Sequence, residues 1–295
     1  MLVLKNCISN IVARLGGLFC DDEQVIGFML LERGLRFDPA TFSKTLLDEK
    51  VQQDKVIGMV EIQSAEDANV EVSYTETNTG ESIQNHQGLK KWNIKFYKGG
   101  RWQNELQKLN KSERYSVVFV MRDGSTLWQQ NLDGTISGFD VKLFTGIRMV
   151  KTAAEGGGSS LRMDLTVKSM SFWQESSAIY KSTDLDFREL QSIEQIDMKV
   201  PVLSAGATTT VISITRSGSN TPMVGLDDKD NWKIVVDGVE GPITALTSVG
   251  DKYTFTHAAL VTNKMVYFKT MMDGYPIYVL STGYYVGESI PKKVV

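Results

Sequence analysis

The residue types that most often carry catalysis are few in this sequence, and they stand apart from one another. A glycine-rich stretch, EGGGSS at residues 155–160, has the composition of a loop that cradles phosphate. Such a loop needs a lysine followed by serine or threonine at the start of a helix, whereas an alternating strand pattern follows here. We therefore interpret the stretch as the flexible tip of a hairpin.

The histidines and cysteines also lack the partners that nucleophilic or metal chemistry requires. His86 lies in a polar loop and His257 in YTFTHAAL, and neither is near a nucleophile motif. Cys7 and Cys20 cannot form a zinc site alone, and neither histidine is close to them in sequence. A Cys7–Cys20 disulfide stays open, although free thiols suit a reducing compartment better. The sequence predicts no catalytic residues, no cofactor-binding residues, no cofactor and no metal site.

Composition limits the remaining function classes. A chain of 295 residues with 42% apolar and 23% charged residues can bury a sizeable core and is long enough for two domains. Its net charge of -3 gives no overall attraction to nucleic acid, so such binding would need a local basic patch. Because no apolar run reaches the roughly 18 residues of a membrane span and no secretory signal is recognisable, we expect assembly in a cytosol without a membrane partner.

Most of the sequence has the periodicity of β-strands. SLRMDLTVKSM alternates apolar and polar residues, while YSVVFVM at 115–121 is apolar throughout and must lie at the centre of a sheet. Asp-Gly pairs in RDGS and LDGT indicate tight hairpin turns. In KKWNIKF, we expect Trp92, Ile94 and Phe96 to share a buried face with part of 115–121, which leaves the lysines on the wet face.

Two segments have helical spacing. In FDPATFSKTLLDEK, Asp38 can cap a helix and Pro39 suits its first position. Phe42, Leu46 and Leu47 then form one apolar side. RWQNELQKLNKSE predicts a second short helix.

A change of texture near Ser182 divides the chain. Residues 183–200 read as a polar connector that leads to Pro201. Beyond it, short strand patterns recur about every 8 to 12 residues between Gly, Asn, Asp and Pro, which predicts a β-sandwich over 201–295. The sandwich is Ig-like in architecture only, because the Cys…Trp…Cys pattern is absent. The expected fold class is mainly β with one or two short helices.

Acidic and basic residues are grouped in two successive blocks between residues 56 and 114. Residues 56–89 carry six carboxylates and no lysine or arginine, whereas 90–114 carries eight lysines and arginines against two glutamates. Such blocks can pair as neighbouring strands of one chain, or an acidic flank can meet the basic flank of the next subunit in a ring. The polar loop 74–88 fits either an arm ordered by a neighbouring subunit or a plain hairpin loop. The candidate subunit-interface residues are Glu61, Glu71, Glu76, Glu81, Lys91, Lys95, Lys98 and Arg101.

The order of these elements supplies a resemblance. GFMLLERGLRFD, a short helix, VIGMVEIQSAEDANVEVSYTETNTGES, GLKKWNIKFYKGG, ERYSVVFVMRDGSTLW and LDGTISGF together resemble structural proteins of tailed bacteriophages of gut Bacteroidetes, the crAss-like phages and related prophages. The resemblance covers about residues 25–175 and includes no catalytic motif. It implies a tail-tube-like β-barrel or sandwich over residues 1–182, with the C-terminal sandwich as an outward decoration.

The resemblance also implies a role. We expect a non-enzymatic virion protein that forms rings of the tail tube or head–tail connector around the DNA channel, after assembly in the host bacterial cytoplasm. Its partners would be further copies of itself, other tail or connector proteins, and DNA that passes without sequence-specific binding. Since phosphate attraction would hold the genome back, we expect Lys91 and Lys95 to meet carboxylates of residues 56–89 rather than DNA.

Two other functions stay open at this point. The C-terminal sandwich could bind a host glycan or protein through exposed aromatic rings, which stack on sugars but also fill sandwich cores. The third alternative is a hydrolase of surface polysaccharide, whose carboxylate pair is not recognisable from spacing. The aromatic candidates for host binding are Trp232, Tyr253, Tyr275, Tyr278, Tyr284 and Tyr285.

Overall fold

A computed structural model describes residues 1–5, 24–60, 62–68, 73–86, 90–96, 100–146, 158–166 and 176–295. Cys7, Cys20 and the first half of the glycine-rich stretch, 155–157, lie outside these ranges. The described chain is mainly β with two short α-helices, which confirms the expected fold class. It divides into two compact units, one formed by Met1–Leu47 and Val56–Leu190 and the other by Asp48–Lys55 and Gln191–Val295.

The first unit contains most of the predicted strands before the boundary. Its described strands are β1 (Leu2–Leu4), β2 (Val25–Glu32), β3 (Arg36–Phe37), β4 (Val56–Val60), β5 (Ser64–Asp67), β6 (Ser73–Glu76), β7 (Ser82–His86), β8 (Lys91–Phe96), β9 (Tyr115–Met121), β10 (Thr126–Gln130), β11 (Ile136–Ser137), β12 (Phe139–Thr145), β13 (Ser159–Leu165) and β14 (Ser177–Ser182). The described α-helices are α1 (Lys44–Gln52) and α2 (Gly100–Gln107).

Strand β9 lies at the centre of its sheet, as its apolar sequence predicts. All seven of its side chains are buried. One edge pairs with β2, and the other pairs with β10 and β12. An unbroken apolar strand needs cover on both faces, and this position provides it. The turn between β9 and β10 contains Gly124 at φ 80°, and the turn before β11 contains Gly134 at φ 82°, so both Asp-Gly turns are confirmed.

The first unit is barrel-like because the chain passes from one sheet to the other at two places. Strand β12 pairs with β9 through Phe139 and Asp140 and then with β13 from Val141 onward, so it belongs to two sheets. One sheet runs β4-β2-β9-β12 and the other β12-β13-β8-β5. Their free ends are β4 and β5, which are separated in sequence only by residues 61–63. The chain therefore passes between the two sheets at both ends.

An apolar core lies in the space between these sheets. It combines Phe28 and Phe119 of one sheet with Phe96 of the other, and the rings of Phe28 and Phe96 lie 6.1 Å apart. Phe96 is buried on the same side as alternate residues of β9, as predicted. Trp92 is half-buried, and its ring lies 4.8 Å from that of Phe119. Helix α2 adds the buried Leu106 and confirms the second predicted helix.

The opposite face of the β9 sheet is covered by aromatic side chains. Phe37, Phe42 and Trp128 pack edge to face, with ring centroids 5.3 to 6.0 Å apart. Phe187 lies 6.0 Å from Phe42 and is fully buried. The indole N–H of Trp128 donates to the hydroxyl of Thr126 at 2.7 Å, so the buried ring keeps its hydrogen bond.

The first helix is shorter than the sequence predicts. Asp38 does not cap it; its carboxylate accepts the N–H of Ala40 at 2.9 Å and closes a separate turn. Helix α1 begins at Lys44, because the hydroxyl of Ser43 accepts the N–H of Leu46 at 3.2 Å and acts as the cap. The predicted helix exists, but its predicted start is wrong.

The second unit is a two-sheet β-sandwich. Its six-stranded sheet has the order β19-β20-β16-β15-β23-β22 and its four-stranded sheet β18-β17-β21-β24. Side chains of both sheets meet in one core, where the rings of Trp232 and Phe255 lie 5.2 Å apart. The strands are β15 (Ile193–Lys199), β16 (Thr209–Arg216), β17 (Trp232–Val236), β18 (Val239–Pro242), β19 (Ala245–Val249), β20 (Lys252–Thr256), β21 (Met265–Thr270), β22 (Ile277–Leu280), β23 (Gly283–Val286) and β24 (Lys292–Lys293).

Residues 183–200 are not the connector that their polar sequence suggests. Phe187 is buried in the first unit, in a single 3-10 turn over Phe187–Glu189. Strand β15 pairs with β16 and β23 in the sandwich and buries Ile196 and Met198. The boundary between the units therefore falls after Leu190. The polar residues Glu194, Gln195 and Asp197 conceal the strand period of β15.

Candidate assembly surface

Four of the eight predicted interface residues have described side chains. Lys91 and Lys95 lie on β8, Glu76 ends β6, and Glu81 follows in the turn before β7. Only the backbone of Arg101 is described, in helix α2. The remaining three candidates, Glu61, Glu71 and Lys98, lie outside the described residues.

The lysines of β8 belong to the outer face of the sheet β12-β13-β8-β5. Residues that alternate with them, such as Ile94 and Phe96, point into the core. Cross-strand pairing sets Lys142, Asp164 and Lys91 in one row, and Phe144, Arg162, Asn93 and Glu66 in the next. We call this surface the charged face; its residues are Glu66, Lys91, Asn93, Lys95, Lys142, Phe144, Ser160, Arg162 and Asp164.

The acidic and basic blocks pair within one chain on this face. Strand β5, from the acidic block, is hydrogen-bonded to β8, and the Lys95 ammonium lies 3.5 Å from the Glu66 carboxylate. The side chains of Lys95 and Glu66 are 53% and 58% exposed, and exposed pairs of this kind contribute at most about 1 kcal/mol to stability. The within-chain alternative thus holds for this pair, but the contact is weak.

Two other cations of the charged face have closer partners. Arg162 donates to both carboxylate oxygens of Asp164, at 2.7 and 2.5 Å, and hydrogen bonding to Asp164 raises the pKa of the guanidinium. The ammonium of Lys142 lies 2.6 Å from Glu113 and lowers the pKa of that carboxyl by a hydrogen bond. These pairs hold the long side chains in place beside Phe144.

A shallow depression of about 320 Å³ lies on the charged face. Its lining includes Glu66, Lys95, Phe144 and Arg162. The Arg162 guanidinium lies 4.9 Å from the centre of the Phe144 ring, and the Lys142 ammonium lies 6.0 Å from it. An apolar ring bordered by cations can accept an aromatic side chain together with a carboxylate.

The chain between β5 and β8 forms a separate hairpin. Among the described strands, β6 and β7 pair only with each other, through Tyr74 and Gln84, Thr75 and Ile83, and Glu76 and Ser82. Its turn is closed by the Glu81 N–H, which donates to the Thr77 hydroxyl at 3.1 Å. Residues 73–86 include Glu76 and Glu81 and no lysine or arginine, and we call them the acidic hairpin.

The acidic hairpin exposes apolar side chains as well as charge. Tyr74 is 62% exposed and Ile83 is 54% exposed. In the described part of the chain the hairpin has no third strand, and an isolated two-stranded hairpin is marginally stable in water. The hairpin therefore has surface to bury and stability to gain from a partner.

The aromatic residues proposed for host binding do not form an exposed surface. Tyr275 is 39% exposed, and the other five are buried. The hydroxyl of Tyr253 donates to the carbonyl of Met223 at 3.0 Å, and that of Tyr278 accepts the N–H of Asp228 at 3.2 Å. Trp232, Tyr253, Tyr278 and Tyr285 belong to the sandwich core, so the five buried rings are not available to stack on sugars. The buried aromatics are Trp232, Tyr253, Tyr278, Tyr284 and Tyr285.

His257 takes part in structural hydrogen bonds. His257 is buried, with Nδ1 2.8 Å from the carbonyl of Ala258 and Nε2 2.9 Å from the hydroxyl of Thr210. Both ring nitrogens are thus used in structural hydrogen bonds. In the described part of the chain, no three His, Cys, Asp or Glu side chains are grouped to hold a metal ion.

None of the helices in the described ranges is both long and apolar enough to cross a membrane.

Comparisons with known proteins found no relative of this chain. The chain matches no protein-family model, no curated protein and no solved structure.

Proposed function

We propose that the protein is a non-enzymatic structural subunit that assembles with copies of itself into rings of a bacteriophage tail tube or head–tail connector. The observation that carries the proposal is the acidic hairpin, which pairs with no other described strand and exposes Tyr74 and Ile83. Exposed apolar residues on a marginal element are typical of an assembly contact.

Support for the virion setting comes from the sequence resemblance to structural proteins of crAss-like phages. That resemblance implies a ring wall of β-barrels around DNA, and the barrel-like first unit is compatible with it. The net charge of -3 suits a channel that DNA passes without adhering. Other tail or connector proteins would bind the ends of the ring.

The second unit would then decorate the outside of the assembly. Buried aromatic residues stabilise its own core, whereas the acidic hairpin belongs to the first unit. The subunit would be made in the bacterial cytoplasm and retained in the virion.

The proposal is tested by mass photometry and negative-stain imaging of the purified protein, together with mass spectrometry of purified virions. We expect closed oligomers of one size and the protein among the structural components of the particle. A protein that is strictly monomeric in solution and absent from virions would refute the proposal.

A further inference from the structure

The side chains of the acidic hairpin suit a contact with another surface. Alternate residues of a strand point to the same side, so Tyr74 and Glu76 project together from one side of the hairpin. Their spacing of two residues is about 7 Å along the strand. The hairpin thus presents an aromatic ring and a carboxylate side by side.

The charged face offers the complementary arrangement. Its depression brings the Phe144 ring next to Arg162, and Lys95 lies in the same lining. The face carries four cations, Lys91, Lys95, Lys142 and Arg162, against the carboxylates of Glu66 and Asp164. The hairpin carries only negative charge. Charge of opposite sign on two surfaces orients their approach and disfavours wrong partners.

We propose that the acidic hairpin of one copy docks on the charged face of the next copy. Tyr74 packs in the depression against Phe144 and Arg162, while Glu76 pairs with Lys95. The weak contact between Lys95 and Glu66 is exposed, so redirecting the ammonium costs little. This inference rests on the self-assembly part of the proposed function.

We place the contact between different copies because the hairpin pairs with no other described strand of its own chain. Tyr74 and Ile83 remain more than half exposed in the single subunit, although the charged face belongs to the same unit. A hairpin on one side of the contact and a sheet face on the other make it heterologous. Repetition of a heterologous contact produces a closed ring or a filament.

Charge reversal on each side of the contact tests the docking. The hairpin variant carries Glu76→Lys and Glu81→Lys, and the face variant carries Lys95→Glu and Arg162→Gln. We expect each variant alone to self-associate at least about tenfold more weakly, which corresponds to about 1.4 kcal/mol. A matched control with Lys181→Glu and Glu189→Lys, two exposed residues of the first unit, should assemble like the original chain. Circular dichroism and denaturant unfolding check that each variant is folded.

Mixing the two variants tests whether the contact joins different copies. In an equimolar mixture, the basic hairpin meets an acidic face and the acidic hairpin meets a basic face, so we expect alternating assemblies to form. A single chain with all four substitutions should also assemble. If assembly is restored in the chain with all four substitutions but not in the mixture, the contact lies within one copy and the proposal is overturned.

A further variant separates packing from charge. Tyr74→Ser should weaken association at both low and high salt, whereas the charge variants should differ from the original chain less as salt rises. Normal assembly of the hairpin, face and Tyr74 variants would overturn the docking contact while leaving self-assembly intact. If the protein instead assembles through this contact but is absent from purified virions, the virion role is refuted and the docking contact stands.

Discussion

Replacing Asp123 by asparagine should destabilise the protein in a pH-dependent way. Asp123 lies in the turn between β9 and β10, where its carboxylate accepts the hydroxyl of Ser125 at 2.5 Å and the ammonium of Lys5 at 3.0 Å. Burial acts to raise the pKa of Asp123. The hydrogen bonds from Ser125 and Lys5 outweigh burial and lower that pKa from 3.8 to about 2.

The size of the effect follows from this pKa difference. Because the pKa is lower in the folded state, the ionised carboxylate stabilises the fold above pH 3.8, and this stabilisation is lost as the pH falls toward about 2. At about 1.4 kcal/mol per pKa unit, the carboxylate contributes about 2 kcal/mol at pH 7 and about 1 kcal/mol at pH 3. Asparagine cannot carry the charge at either pH.

Denaturant unfolding of the original chain and Asp123→Asn at pH 7 and pH 3 measures this difference. Asp133→Asn is a matched control, because Asp133 occupies the other Asp-Gly turn and accepts the N–H and hydroxyl of Thr135. Its side chain is 52% exposed, so we expect a smaller loss. An equal loss at both pH values, or at both turns, would refute the reasoning.

Substitutions at two positions test the packing of the first unit. Trp92→Ala should lower the free energy of unfolding by about 3 kcal/mol, because it removes the ring that packs on Phe119. Trp92→Phe should lower it less, since the indole N–H of Trp92 has no acceptor within the described structure. Unfolding curves that rank the two variants otherwise would contradict this. Gly138→Ala should lower the free energy of unfolding by about 1–3 kcal/mol, because a Cβ there would lie 2.6 Å from the Ser116 hydroxyl and 3.0 Å from the Ser116 backbone carbonyl carbon. An unchanged melting temperature would contradict that clash.

Strands with a strict pattern can be predicted from sequence, and strands with a mixed pattern cannot. β9 is apolar at every position and β13 alternates without exception, so the sequence predicts both correctly. β15 buries Ile196 and Met198 among polar and charged residues, and its polar composition resembles a linker. The deciding information for β15 is its pairing with β16 and β23, which joins distant parts of the chain.

The helix start shows a different limit. Asp38 and Ser43 are both suitable caps, and the sequence does not rank them. Strand β3 ends at Phe37 by pairing with β11, and Asp38 then closes the turn after it. The cap therefore passes to Ser43, an outcome set by tertiary pairing rather than by local preference.

The candidate surface is predictable only in part. The order of acidic and basic blocks allows acidic β5 to pair with basic β8 within one chain or between subunits, and the within-chain pairing and the register that brings Glu66 to Lys95 depend on the fold. Aromatic composition cannot separate core from surface, because Trp232 and Tyr285 are the kinds of residue that serve in both. Only burial in the folded sandwich distinguishes them.

The connection between β5 and β8 gives the last prediction. These strands are antiparallel neighbours, with Asp67 opposite Trp92. Antiparallel neighbours can be joined by a loop of about two to five residues. The chain instead uses residues 68–90 and builds the acidic hairpin within them. The sheet does not need this excursion, which suggests that the hairpin is present for a contact outside the subunit.

Replacing residues 74–83 by a short Asn-Gly turn should therefore separate folding from assembly. The side chains of these ten residues are described, and none of them belongs to the apolar core between the two sheets, so we expect the free energy of unfolding to change by less than about 1 kcal/mol. Self-association should be lost, because both the exposed apolar residues and the carboxylates are removed. Denaturant unfolding and mass photometry on the same samples measure the two effects. A shortened chain that still assembles would show that the hairpin is dispensable, and one that unfolds would show that the hairpin stabilises its own subunit.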